Sequence, residues 1–147
     1  MELLQLRHED VLSLLPDRKA DTHKGNYGKL LLLCGSKGFT GAAAMSAMGA
    51  LRAGAGLVYL AVPECIYEIE AVKLTEPIVY PIASKNGTYS ADALETIHVL
   101  FTGKDAVLIG PGIGANQDTE TIVRFILMHF DGPVVIDADG INVLREH

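Results

Sequence analysis

Short apolar runs alternate along this chain with stretches whose apolar residues recur at helical spacing. Lys29–Cys34, Leu57–Val62, Ile78–Ile82, Ala106–Ile109 and Val134–Ile136 are the runs. Continuous apolar runs of this length read as buried parallel strands. Between them, Ala42–Ala53, Pro63–Val72, Ala91–Leu100 and Gln117–Phe130 read as helices. Ser90 caps the third of these, and the fourth carries Ile122, Phe125, Ile126 and His129 on one stripe. Leucines at helical spacing also run from Leu3 to Leu15, where Pro16 stops the pattern. Asp17–Gly28 is polar and charged and reads as a loop, and Gly35–Gly41 is a glycine loop.

Strands that alternate with helices predict right-handed βαβ crossovers. The expected fold class is therefore α/β, a parallel sheet with helices on both faces. A length of 147 residues allows one domain with a real core. The last residues, Gly140 to His147, look like the start of a new helix after an innermost-looking strand. The expectation is that residues 1–147 form the N-terminal portion of a single longer α/β domain. Such a half-built sheet would leave an edge open.

Charge narrows the partners. Twelve Lys and Arg stand against 18 Asp and Glu, with no basic run to neutralise phosphates, so nucleic acid is not expected. No apolar run is long enough to cross a bilayer, and the N-terminus lacks a signal-peptide shape, which leaves the cytoplasm as the default compartment. Cys34 and Cys65 read as two small buried hydrophobes, and the five histidines have no metal-ligand spacing, so no metal ligand is assigned.

Candidate chemistry gathers at strand ends. Gly110-Pro111-Gly112-Ile113-Gly114 follows one strand directly, and glycine lets backbone N–H groups approach a ligand. Ligands of open α/β sheets collect outside the carboxyl ends of the strands. Asp137, Asp139 and Asn142 lie at the end of the next strand, where carboxylates can hold Mg²⁺ or accept hydrogen bonds from a hydroxyl. Gly35 and Ser36 open a loop before a helix and could meet a phosphate, as could Lys24 in Lys24-Gly25-Asn26-Tyr27-Gly28-Lys29. Small residues Gly41, Ala42 and Ala43 leave space for a flat ring or a ribose. Neither Arg52-Ala53-Gly54-Ala55-Gly56 nor the 110–114 loop has the dinucleotide fingerprint order, so a Rossmann NAD site is not supported.

Taken in order, His23-Lys24-Gly25-x-x-Gly28, Gly35-Ser36, Gly41-Ala42-Ala43, Arg52-x-Gly54-Ala55-Gly56-Leu57-Val58, Gly110-Pro111-Gly112-x-Gly114 and Asp137-Ala138-Asp139-x-x-Asn142 resemble the ADP/ATP-dependent NAD(P)H-hydrate dehydratases, which have a ribokinase-like fold. The resemblance runs from about residue 16 onward. It implies ADP or ATP with Mg²⁺ as cofactors and hydrated NADH or NADPH as substrate. Gly41, Ala42, Ala43 and Gly112 would face the hydrated nucleotide, with Asp137, Asp139 and Asn142 beside it. It also suggests a homo-oligomer. The family's Thr-Pro-His-x-Gly-Glu segment and its Gly-Thr/Ser-Gly-Asp anion hole with the catalytic Asp do not occur here, so no catalytic residue is assigned within this chain. A ribokinase-like kinase of a vitamin precursor and a non-catalytic ligand-binding domain stand as alternative readings.

Overall fold

The computed structural model describes residues 7–15 and 20–145. Parallel strands β1 (Lys29–Leu33), β2 (Leu57–Pro63), β3 (Ile78–Ile82), β6 (Ala106–Ile109) and β7 (Val134–Ile136) form one sheet in the order β3-β2-β1-β6-β7, and two short strands, β4 (Ser84–Lys85) and β5 (Thr88–Tyr89), stand apart from it. Helices α2 (Thr40–Arg52), α3 (Tyr67–Lys73), α4 (Leu94–Leu100) and α5 (Gln117–His129) cross between the strands of the sheet. A short α1 (His8–Ser13) precedes the sheet and α6 (Asp139–Asn142) follows it. The leucine run from Leu3 therefore appears here only as α1, and its start and Pro16 lie outside the described residues.

β1 is the spine of the molecule. Leu31, Leu32, Leu33 and Cys34 are all fully buried. Side chains alternate across a strand, so this run feeds two cores. Leu31 and Leu33 pack with Ile97 of α4 and with Ile122, Val123 and Ile126 of α5. Leu32 and Cys34 pack with Ala43 and Ala47 of α2 and with Ile66 and Leu74 around α3. The all-apolar run and the two-sided burial have the same cause.

β7 lies at an edge of the described sheet, and Val135 is 57% exposed. Two features differ from the sequence reading. The buried stripe of α5 is Thr119, Ile122, Val123 and Ile126. His129 is exposed and stacks on Phe125 instead. Finally, β4 and β5 pair as an antiparallel hairpin. Its turn, Asn86-Gly87, has φ of 53° and 85°. Asn-Gly tolerates positive φ at both central turn positions, so the dipeptide was the available signal.

The hairpin is tied down at its end. The Tyr89 hydroxyl lies 3.0 Å from the carbonyls of both Cys34 and Ala61. Burial pushes the Tyr89 phenol well above its ordinary 10.0 and the Cys34 thiol from 9.0 up to about 12.

Two outcomes follow from that burial. Cys65 is exposed, so a thiol reagent at pH 8 should label it while Cys34 reacts only in denaturant. Both shifted groups are neutral in the folded chain, whereas the unfolded chain would ionise them near 9 and 10. The unfolded state then binds fewer protons, so stability is whole below pH 9 and falls as pH rises from there towards 12. Thermal melts across pH 8 to 11 check this, and Cys34→Ala should flatten part of the decline.

Candidate functional site

In the sheet order, β2 and β6 flank β1 on opposite sides. The chain leaves β1 through α2 and leaves β6 through α5, and these helices pack with the two different cores. The carboxyl ends of β1 and β6 are thus the switch point of the topology, where open α/β sheets bind ligands.

Here the loops after the two strands are stitched together. The Gly35 N–H donates to the Pro111 carbonyl at 2.8 Å. The Ser36 hydroxyl, only 2% exposed, donates to the Gly112 carbonyl at 2.7 Å. Gly112 has φ of 69°, and a Cβ there would sit 2.8 Å from the Ala42 Cβ and 3.1 Å from the Phe39 Cβ. Glycine is required on two counts, conformation and close approach. The N–H groups of Gly112, Thr40 and Gly41 make no hydrogen bond among the described residues. Those are donors that a ligand at this edge can use.

The carboxylates close the other side. Asp139 opens α6, and its Oδ2 accepts from the Gly114 N–H at 3.0 Å. It thereby braces the second glycine loop. The cap position belongs to Ala138, not to Asp139. Asp137 is exposed, and its Oδ1 accepts from the Ala138 N–H at 2.8 Å. Asn142 is exposed and lines an open cleft of about 310 Å³ with Asn116, Gln117 and Glu120. The hairpin reaches this cleft's rim, since Asn116 Nδ2 donates to Thr88 Oγ1 at 3.1 Å. The Lys37 N–H donates to the Gly87 carbonyl at 2.8 Å, so the hairpin also grips the first glycine loop. Sequence reasoning missed this contribution because it missed the hairpin.

Several sequence-derived assignments change. Lys24 lies in a 3-10 turn that precedes β1, at the amino edge of the sheet. That loop is bound there by the Gly28 carbonyl, which accepts from Gly56 and Leu57. The five residues of β1 separate it from Gly35 and Ser36, by roughly 16 Å at strand rise. These three residues do not form one phosphate site. Gly35 and Ser36 spend their N–H and hydroxyl donors on the opposite loop. Ala43 is fully buried, and a Cβ on Gly35 would lie 2.7 Å from the Ala43 Cβ, so Ala43 packs inward. Of the small trio, Gly41 is the open position, with no atom within 4 Å of where a Cβ would stand. Gly41, Gly112, Asp137, Asp139 and Asn142 do sit on the carboxyl edge together.

A parallel sheet with a stitched switch point and carboxylates on one rim defines an open α/β fold with a crevice at its carboxyl edge. The comparisons with known proteins are specific. The chain belongs to the NAD(P)H-hydrate dehydratase family, whose model matches residues 30–147. It is 44% identical over 126 residues to a bifunctional NAD(P)H-hydrate repair enzyme of Dictyoglomus turgidum, covering 84% of this chain and 24% of that protein. It is 30% identical to an ADP/ATP-dependent NAD(P)H-hydrate dehydratase from Bacillus subtilis co-crystallized with ATP and Mg²⁺, with a TM-score of 0.72 over 90% of this chain and 44% of that one. A ribokinase-like superfamily protein of Enterococcus faecalis shares the fold, with a TM-score of 0.78 over 98% of this chain and 50% of that one, at 22% identity. The chain spans about a quarter of the length of the curated relatives it matches.

One backbone position is strained. Ala138, between the two aspartates, has φ of 48° and ψ of −119°. That conformation suits glycine and costs another residue about 1–3 kcal/mol. Ala138→Gly should therefore raise stability by about 1 kcal/mol, read as a higher melting temperature. A pair of glycine variants tests the packing. Gly103 has φ of 67° and no atom within 4 Å of where a Cβ would stand, so Gly103→Ala bears only the conformational cost of about 1 kcal/mol. Gly112→Ala adds the clash with Ala42 and should melt measurably lower.

Proposed function

We propose that the protein carrying this chain repairs hydrated NADH and NADPH, with ADP or ATP as phosphoryl donor. The observation that supports this most is the stitched switch point. It presents the free N–H groups of Gly112, Thr40 and Gly41 on the same edge as the exposed carboxylate of Asp137. In the proposed reaction a phosphoryl group passes to the hydroxyl oxygen of the hydrated ring. The carbon–oxygen bond then breaks, phosphate leaves with the bonding electron pair, the neighbouring ring carbon gives up a proton to water, and the carbon–carbon double bond of the reduced nicotinamide is restored. Such transfer depends on positioning and on charge neutralisation more than on covalent help from the protein.

The residues suit these tasks. Backbone donors at Gly112 and Gly41 would orient the hydrated nucleotide. Asp137 would accept a hydrogen bond from the attacking hydroxyl. Mg²⁺, when bound with the nucleotide, neutralises phosphate charge. It is commonly held by one or two carboxylates together with substrate phosphates, and Asp137 offers one exposed carboxylate. Asp139 is a positioning residue that holds the Gly114 N–H. Lys24, placed at the amino edge, has no part in this site. We further propose a homo-oligomer working in the cytoplasm; among the described residues no helix is long and apolar enough to cross a membrane.

The test is direct. The natural protein that carries this sequence, given hydrated NADH with ADP or ATP and Mg²⁺, should restore the absorbance of reduced nicotinamide. Phosphorylation of a vitamin-type alcohol in place of that signal would favour a small-molecule kinase. Binding without turnover of either would favour a ligand-binding domain. The 147-residue chain alone should turn over little substrate, because no catalytic group of the family's anion hole occurs in it. Asp137→Asn in the natural protein should lower turnover by more than about tenfold while leaving the melting temperature unchanged, since this side chain is exposed.

A further inference from the structure

Beside the switch point, α3 carries a buried charge that the proposed reaction does not use. Glu70 is completely buried. Its Oε1 accepts from Lys73 Nζ at 3.2 Å, and its Oε2, sealed from solvent, has no partner among the described residues. A buried carboxylate is costly unless a cation and hydrogen bonds compensate it. Lys73 is the cation present, and Glu70 therefore holds it in place.

The same ammonium group reaches across to the other helix. Lys73 Nζ donates to Thr40 Oγ1 at 2.6 Å, and Thr40 is the first residue of α2. The Lys73 side chain is 38% exposed. An ammonium has three N–H donors. Two are committed to Glu70 and Thr40, and the third has no acceptor among the described residues. Thr40, accepting from lysine, keeps its own hydroxyl proton to donate. The backbone N–H groups of Thr40 and Gly41 are unbonded in the same turn, and Gly41 faces open space. Four donors, one of them cationic, thus belong to the first turn of a 13-residue helix, its positive end, or to the lysine bonded to that turn.

We infer that Lys73, fixed by Glu70, builds with Thr40 and Gly41 an anion-binding subsite that takes a phosphate group of the dinucleotide substrate. The identity of that phosphate rests on the dehydratase reading. The existence of the subsite does not. Lys73 supplies charge that a bare glycine turn lacks, and Glu70 fixes the lysine before the ligand arrives, so little side-chain freedom is lost on binding. Glu70 acts only through Lys73 and is a positioning residue.

The experiment has two arms on the natural protein carrying this chain. In the first, the protein is labelled with [¹⁵N]glycine, the Gly41 signal is assigned with Gly41→Ala, and inorganic pyrophosphate is titrated in. The Gly41 amide should shift in the wild type, shift at about tenfold higher pyrophosphate in Lys73→Met, and recover in Lys73→Arg. In the second, Lys73→Met should raise KM for hydrated NADPH about tenfold with kcat within about twofold, and Lys73→Arg should restore most of the loss. An unmoved Gly41 amide in the wild type, or equal titrations in wild type and Lys73→Met, would overturn the subsite. A Gly41 response that depends on Lys73 in a protein without dehydratase activity would keep the subsite and refute the functional reading instead.

Discussion

Two hydrogen bonds between loops, Gly35 N–H to Pro111 and Ser36 hydroxyl to Gly112, organise this molecule. At a switch point the chain leaves two neighbouring strands towards opposite faces, and a crevice opens between them. The stitching narrows that crevice and fixes the backbone around it. It works only because the partners can approach so closely. A Cβ on Gly35 or Gly112 would come within 3 Å of an alanine methyl on α2. The small residues of α2 are thus explained by the loops they accommodate. They let the helix sit on the sheet, and they let the second loop sit on the helix.

From that seam the rest of the edge is built outward. Asp139 ties the far end of the second loop to α6 through Gly114. The hairpin clasps the first loop at Gly87 and the second at Thr88, and Tyr89 anchors it to the central strands. Ser36, Tyr89 and Asp139 are polar groups whose hydrogen bonds are made inside the protein. Their work is to hold backbone in place. The N–H groups left unbonded at Gly112 and Gly41, and the Asp137 carboxylate oxygen that Ala138 does not occupy, are the ones open to a ligand. Preorganised donors of this kind need little rearrangement when charge develops before them.

The strand runs were legible because burial on both faces leaves a continuous apolar signature, clearest in Leu30 to Cys34. Strand order was less so. Val134–Ile136 has the composition of an interior strand but lies at an edge of the described sheet. The hairpin escaped notice because strands of two residues show no periodicity, although Asn86-Gly87 marked its turn. At the site, the glycines and aspartates of the carboxyl edge could be read from their place after strands. Their roles could not, since a glycine before a helix looks the same whether its N–H meets a phosphate or, as at Gly35, a neighbouring carbonyl. Lys24 and Gly35 both lie in glycine-bearing loops beside β1, and only the direction of that strand places them at opposite edges of the sheet. The Glu70–Lys73–Thr40 contact joins residues more than thirty positions apart, beyond the reach of a motif.

In the proposed function substrate binds at the carboxyl edge, across the stitched loops. A larger cleft argues for a different place: about 610 Å³, it lies at the amino edge between Asn26, Tyr27 and the Arg52–Ala55 turn. Hydrogen exchange on the natural protein carrying this chain, with and without hydrated NADPH, distinguishes the two most directly. Binding at the carboxyl edge should slow exchange in residues 38–43 and 110–116, with no change in residues 24–28 and 52–56. Protection confined to 24–28 and 52–56 would contradict it.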